Sequence, residues 1–218
     1  MVFYCDGISS MTDEQFKLFF ERMPKERQKK ALRYIKKEDK QLCVAAFALL
    51  DYALKMNGYE IGEYELVEGE TGKPYLKNLP FEFNISHTSN AVACAVSQTQ
   101  VGVDVQKKVS EYESVMRRVY CENEIDLISN SKNAVDDFTR LWTLKESYVK
   151  CIGTGISDII SKYDFSTVVK NGGELYDHNF AVLDCGDYVL SVCSPKPIKK
   201  ITKVSVLELY KFGRGKNV

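Results

Sequence analysis

The chain has 218 residues, 44% of them hydrophobic, and its thirty basic side chains balance thirty acidic ones. Zero formal net charge argues against a general nucleic-acid binder, which carries a basic excess. No apolar run approaches the ~20 residues that a membrane span needs, and the opening residues MVFYCDGISSMTDEQF lack the charged-then-apolar order of a secretory leader. Seven cysteines are scattered from Cys5 to Cys193 without a CxxC pair, a spacing that speaks against a disulfide framework and against a zinc site. Cys43, Cys94 and Cys193 each sit in an apolar stretch and read as small buried residues. The expectation is a cytoplasmic protein of a reducing compartment, with no membrane and no nucleic-acid partner.

In chain order, the segment from Pro24 to Asn57 predicts a helix. Pro24 suits a first-turn position, Gly58 a stop, and Leu42, Ala46, Leu49, Ala53 and Met56 recur at three- and four-residue steps. Short β-rich runs follow at Phe81–Ser86, Ala91–Ser97 and Val101–Val105. A second helix is predicted from Ala134 to Ile152, stopped by Gly153. Strand-like runs then cover Tyr163–Lys170, Glu174–Asp184, Tyr188–Ser194 and Val204–Phe212, the first two joined by the turn signal Asn171-Gly172-Gly173. Helix-then-sheet occurs twice, which predicts an α+β protein of two similar halves, 1–100 and 101–218, each a small antiparallel sheet packed with a long helix.

Five features carry chemistry. Between Lys25 and Lys40, eight basic residues, Arg27 and Lys30 among them, face three acids, which suits a phosphorylated ligand or a solvated helix face. Gly72-Lys73-Pro74 is no P-loop; it reads as a plain turn or as a positive charge held by a stiff proline. In Phe83-Asn-Ile-Ser-His-Thr-Ser89, Ser86 and His87 can donate hydrogen bonds to a phosphate oxygen, although a lone histidine is more often structural. His178 has no supporting neighbours in sequence and reads as a surface residue. In Val101-Gly-Val-Asp-Val-Gln106, Asp104 and Gln106 share a strand face and offer the oxygen ligands magnesium prefers; a strand-end Asp capping a turn is the alternative. In Thr139-Arg-Leu-Trp-Thr-Leu-Lys-Glu-Ser-Tyr-Val-Lys150, Trp142, Glu146 and Lys150 line one helical stripe, and Leu141, Lys145, Tyr148 and Ile152 the adjoining one. A surface salt-bridge set explains that spacing equally well.

The ordered set GKP, FNISH, GVDVQ and WTLKESYVK resembles the 4'-phosphopantetheinyl transferases of the surfactin-synthetase-activating (Sfp-like) type, whose signatures are a (V/I)G(V/I)D strand and a W(S/T)xKE(S/A)xxK helix. The basic stretch Lys25-Glu-Arg27, Lys30 and Lys37-Glu-Asp39 matches that family's N-terminal helix, so the likeness covers nearly the whole chain.

The resemblance implies a monomer of two similar α+β halves, the first serving coenzyme A and the second carrying the metal strand and catalytic helix. It implies that coenzyme A is the substrate, magnesium the cofactor, and a serine of an apo acyl or peptidyl carrier protein the acceptor, with 3',5'-ADP released. Asp104, Glu146 and Gln106 would hold the metal. Arg27 and Lys30 would meet the 3'-phosphate, Lys73 and Pro74 the nucleotide end, Ser86 and His87 the phosphates, and Lys145 and Lys150 the pyrophosphate. Glu146, directly or through a metal-bound water, would be the base, with Asp104, Lys145 and His87 also at the reacting centre. Two positions depart from the pattern: Gln106 stands where many relatives have Glu, and Cys43 where they often have a phosphate-binding Thr. A magnesium-dependent coenzyme A phosphodiesterase and a degenerate binder of coenzyme A or carrier protein are the rival readings. The pathway, whether fatty acid, polyketide or peptide, stays open.

Overall fold

A computed structural model describes residues 1–60, 62–69, 74–154 and 160–215. The chain divides into two compact units, Met1–Gln98 with Lys200–Val218, and Thr99–Lys199. The C-terminal segment therefore groups with the first unit, whereas a cut at residue 100 assigns it to the second half. Strand pairing is the reason, since Ile201, Thr202 and Lys203 lie parallel to Val2, Phe3 and Tyr4.

The first unit contains β1 (Val2–Asp6), α1 (Asp13–Arg22), α2 (Lys25–Arg33), α3 (Lys37–Lys55), β2 (Leu66–Glu68), β3 (Pro74–Leu76), β4 (Glu82–Thr88) and β5 (Ala91–Ser97). It ends with β10 (Ile201–Lys203) and α7 (Val206–Gly213). Its four-stranded sheet has the order β10-β1-β5-β4, antiparallel except for the β1–β10 pair, and β2 and β3 form a separate hairpin. A capping box starts α1: Gln15 N donates to Thr12 Oγ1 at 3.2 Å and Thr12 N to Gln15 Oε1 at 2.9 Å. Helix α3 packs on β5 and places Phe47, Leu49, Leu50 and Leu54 at 1% exposure or less.

The single helix predicted over 24–57 is two helices, broken where Tyr34 and Lys36 turn extended at ψ 138° and 141°. A straight helix of that length would run about 50 Å, far beyond the ~13 Å radius of gyration of a 100-residue domain. Helix α2 fully buries only Ala31, so little core packing holds it in line with α3. The strand predicted over Val204–Phe212 is helix α7. Ser205 Oγ accepts from Glu208 N at 3.1 Å while Glu208 Oε2 accepts from Ser205 N at 2.7 Å, and the helix buries Val206 and Leu209.

The second unit contains β6 (Gly102–Lys107), α4 (Glu113–Val119), α5 (Glu122–Ser129), α6 (Ala134–Ile152), β7 (Gly173–Leu175), β8 (His178–Asp184) and β9 (Tyr188–Ser194). Its sheet is antiparallel throughout, in the order β6-β9-β8-β7. Residues 163–170, predicted as a strand, form coil and turns. Their amides go to side chains and turn carbonyls instead of a ladder: Phe165 N donates to Glu124 Oε1 and Ser166 N to Asp164 Oδ1, each at 2.9 Å, and Val168 N to the Phe165 carbonyl at 3.1 Å. The hairpin turn is Tyr176-Asp177, both at positive φ, rather than Asn171-Gly172-Gly173, which leads into β7. Among the described residues, no helix is long and apolar enough to cross a membrane.

Helix α6 lies across β6 and β9. The approach is close enough to require glycine on β6: a Cβ on Gly102 would stand 1.9 Å from the Ser147 carbonyl oxygen and 2.5 Å from the Cys151 amide nitrogen. Both obstructing atoms are backbone, so relief means moving the helix. Gly102→Ala is expected to destabilise the protein by about 2–3 kcal/mol, read as a lowered denaturant midpoint at unchanged slope. An unchanged midpoint would contradict this packing.

Candidate active site

In the second unit, α6 and β6 bring two carboxylates together. Asp104 is 1% exposed and Glu146 6% exposed. Lys150, one turn beyond Glu146, places Nζ 2.5 Å from Asp104 Oδ1 and 3.4 Å from the Val103 carbonyl oxygen. The amide of Gln106 donates from Nε2 to Asp104 Oδ2 at 3.2 Å, which leaves its oxygen as an acceptor. Glu146 Oε1 is buried without a hydrogen-bond partner. Burial, then the charge of Asp104, pushes the Glu146 carboxyl up to about 7, with Lys150 acting in the opposite sense. Two buried carboxylates beside one ammonium form a pocket of excess negative charge. Hard oxygen donors and an unsatisfied buried oxygen are what a divalent cation such as magnesium would complete.

Lys145 does not join this group. Its side chain is fully buried on another face of α6, with Nζ 2.9 Å from Glu124 Oε2, 2.9 Å from the Ile160 carbonyl and 2.5 Å from the Tyr163 carbonyl. The rings of Tyr120 and Phe165 flank the ammonium. Its predicted place beside the pyrophosphate is therefore corrected: all of its hydrogen-bonding capacity is taken up inside the core. Burial lowers the Lys145 pKa against the raising effect of Glu124. Glu124 went unmarked in the sequence; the only local signal is its position three residues after Cys121, whose amide donates to Glu124 Oε2 at 3.0 Å. Trp142 is half-buried, stacks on Phe138 and packs against the core of this unit.

The first unit holds a cleft of about 190 Å³ lined by Arg27 and Lys30 of α2, Tyr34, Cys43 of α3, Pro74 of β3 and His87 of β4, among others. Arg27 Nε is buried there without a partner, a donor suited to an anion. Cys43 is half-buried and lines the cleft, where burial pushes its thiol up and Arg27 and Lys30 oppose the shift. It is thus no core residue, unlike Cys94 and Cys193. Ser86 alternates to the other face of β4 from His87, is 6% exposed and does not line the cleft. Lys73 lies outside the described residues.

Two measurements check these assignments. A carboxyl whose pKa is raised on folding contributes stability that is complete below its unfolded value of 4.5 and gone above about 7. Without metal, wild type minus Glu146→Gln should therefore show a stability difference that falls with pH across that window, the variant being more stable at neutral pH by on the order of 1–3 kcal/mol. A flat difference would contradict it. Lys145→Met alone should cost about 3–5 kcal/mol by leaving the Glu124 charge buried without its counter-ion, and Glu124→Gln in the same chain, which removes the charge and keeps an acceptor for the Phe165 amide, should recover much of it; additive losses in this double-mutant cycle would contradict the buried pair.

Comparison with known proteins bears on the family of the chain. A 4'-phosphopantetheinyl transferase superfamily model matches residues 100–193, and a 4'-phosphopantetheinyl transferase N-terminal model matches residues 10–99. A 4'-phosphopantetheinyl transferase of Bacillus subtilis is 30% identical over 79% of the chain and 82% of its own length. The transferase Sfp of Bacillus subtilis (strain 168) is 28% identical over 91% and 95%. The transferase gsp of Aneurinibacillus migulanus is 32% identical, though the match spans 65% of this chain and 60% of that protein. With both halves matched and the α+β architecture in place, the chain belongs to the 4'-phosphopantetheinyl transferase superfamily.

Proposed function

We propose that the protein transfers the 4'-phosphopantetheine arm of coenzyme A to a serine of an apo acyl or peptidyl carrier protein, with magnesium as the metal and 3',5'-ADP as the second product. The observation that carries this reading is the buried Asp104–Glu146 pair with Lys150, whose excess negative charge and unpartnered oxygen call for a cation. Asp104, Glu146 and the amide oxygen of Gln106 would hold magnesium, which would offset the charge of the coenzyme A pyrophosphate. Gln106 in place of a carboxylate leaves that set one negative charge short, so metal affinity is lower than three carboxylates would provide.

The chain's own groups supply the rest. A serine hydroxyl attacks phosphorus poorly until a base takes its proton. Glu146, with a carboxyl near neutrality, is suited to accept that proton. Lys150 is long and 28% exposed at its side chain, and it can turn its charge from Asp104 toward a phosphate as negative charge develops. Lys145 is committed to Glu124 and acts only by holding α6 in place. In the first unit, Arg27 and Lys30 would bind the 3'-phosphate, Pro74 would flank the nucleotide and His87 would meet a phosphate.

The test is intact mass spectrometry of an apo carrier protein incubated with the enzyme, magnesium and coenzyme A. A mass gain of one phosphopantetheine is expected, lost with chelator and with Asp104→Ala. Arg27→Ala should raise KM for coenzyme A by roughly 10-fold or more while changing kcat little, the loss of one charge-assisted hydrogen bond. Coenzyme A bound but no mass gain on several unrelated carriers would replace the proposal with a binder lacking chemistry.

A further inference from the structure

We propose that the second unit contains a binding site for a thiophilic closed-shell cation, zinc first among them, built from Cys151, Cys193 and His178. The Sγ atoms of Cys151 and Cys193 and a ring nitrogen of His178 all lie within 4.8 Å of one another. In a tetrahedral site two thiolates each about 2.3 Å from the ion stand about 3.8 Å apart, and a thiolate and an imidazole nitrogen about 3.6 Å, so closure by up to about 1 Å brings the three ligands onto one ion. Cys151 is 1% and Cys193 0% exposed, while His178 is half-buried and opens the site to solvent. The group has three protein ligands among the described residues, and a water would occupy the fourth position of a tetrahedral ion.

The fold brings together what the scattered cysteines did not announce. Cys193 pairs with Gly102 on one side and Phe180 on the other. His178 sits two residues from Phe180 on the same face of β8, diagonal to Cys193. The missing side chain at Gly102 lets the last turn of α6 descend onto the sheet, and that descent sets Cys151 over Cys193. His178 is held as a ligand usually is: Nδ1 lies 2.7 Å from the Tyr176 carbonyl, and the Tyr148 ring meets the imidazole edge-on at 5.5 Å. With Nδ1–H donated to the carbonyl, the lone pair of Nε2 is the one available to a metal. The turn that delivers His178 keeps two non-glycine residues, Tyr176 and Asp177, at φ 52° and 56°, an unfavourable backbone for both side chains.

A second acid–thiol group, Cys121, Glu124 and Asp164, lacks this character. Both Glu124 oxygens are engaged by Lys145 and by the amides of Cys121 and Phe165, and Asp164 by Asn123 and the Ser166 amide. In the Cys151–Cys193 pair, by contrast, the two thiols hydrogen-bond to each other, and burial with that hydrogen bond pushes the Cys193 thiol up. Metal binding converts both thiols to thiolates and releases two protons to solvent, with no change of oxidation state. Because Cys151 follows Lys150 directly, an occupied site would pin the end of α6 that carries Lys150.

The test uses the purified full chain and cobalt(II) as the probe, read by thiolate-to-cobalt charge-transfer absorption, with zinc competition and metal analysis of the protein as isolated. One equivalent of cobalt giving that absorption, displaced by zinc, is expected, together with a rise in Tm on zinc addition. His178→Ala, at a half-buried position where folding should persist by circular dichroism, should weaken zinc binding at least 10-fold; Cys193→Ser should abolish the charge-transfer band. Absence of the band in folded wild type would overturn the site. So would a band that survives Cys193→Ser, or a Cys151–Cys193 disulfide in the protein as isolated.

Discussion

The second unit depends on how closely α6 lies against β6. The absent side chain of Gly102 lets the backbone at Ser147 and Cys151 descend onto the strand. That contact places Glu146 where it feels the charge of Asp104 and brings Lys150 into contact with Asp104. Moving the helix outward by the width of a methyl group would loosen both relations, because Coulomb and hydrogen-bond terms between buried groups change steeply over ångströms. The glycine and the carboxylate of the VGVD segment are thus one device: the first admits the helix and the second meets the side chains it brings.

Buried like charges are costly, and this unit concentrates them. Asp104 and Glu146 share the Lys150 ammonium. The raised Glu146 carboxyl expresses that cost, and its unpartnered oxygen shows that the surrounding residues do not relieve it. Such local dissatisfaction is tolerated where a ligand completes the set. The Lys145–Glu124 pair is the opposite case, a buried pair whose lysine and carboxylate are saturated by hydrogen bonds and flanked by rings, which makes it a clamp on the fold rather than a reacting group.

The two lysines of one motif therefore have different work for a geometric reason. At about 100° per residue, Lys150 lies about 40° around the helix from Glu146, whereas Lys145 lies about 140° from Lys150. One face of α6 meets β6 and the other meets α5, so the five-residue separation sends one ammonium to the carboxylates and the other to Glu124. In the first unit the same alternation logic on β4 places His87, which lines the cleft, and the buried Ser86 on opposite faces of the strand.

Much was legible in the sequence. Helix α6 and its Gly153 stop, strands β5 and β9 and the α+β class followed from periodicity and turn chemistry, because those signals are local. The ordered motifs singled out Asp104, Glu146 and Lys150 as neighbours, while spacing alone fitted a surface salt-bridge set equally well. Tertiary structure decided the rest. It broke the long N-terminal helix at Tyr34, where α2 has almost nothing to bury, and it made Val204–Phe212 helical through the Ser205–Glu208 cap and the burial of Leu209. It returned the C-terminal strand to β1 by a pairing of residues some two hundred positions apart. It also turned Lys145 inward and assembled Cys151, His178 and Cys193 from a helix end and two strands. Local periodicity specifies which face of an element is apolar, but which distant polar group that element will meet is settled only when the faces pack.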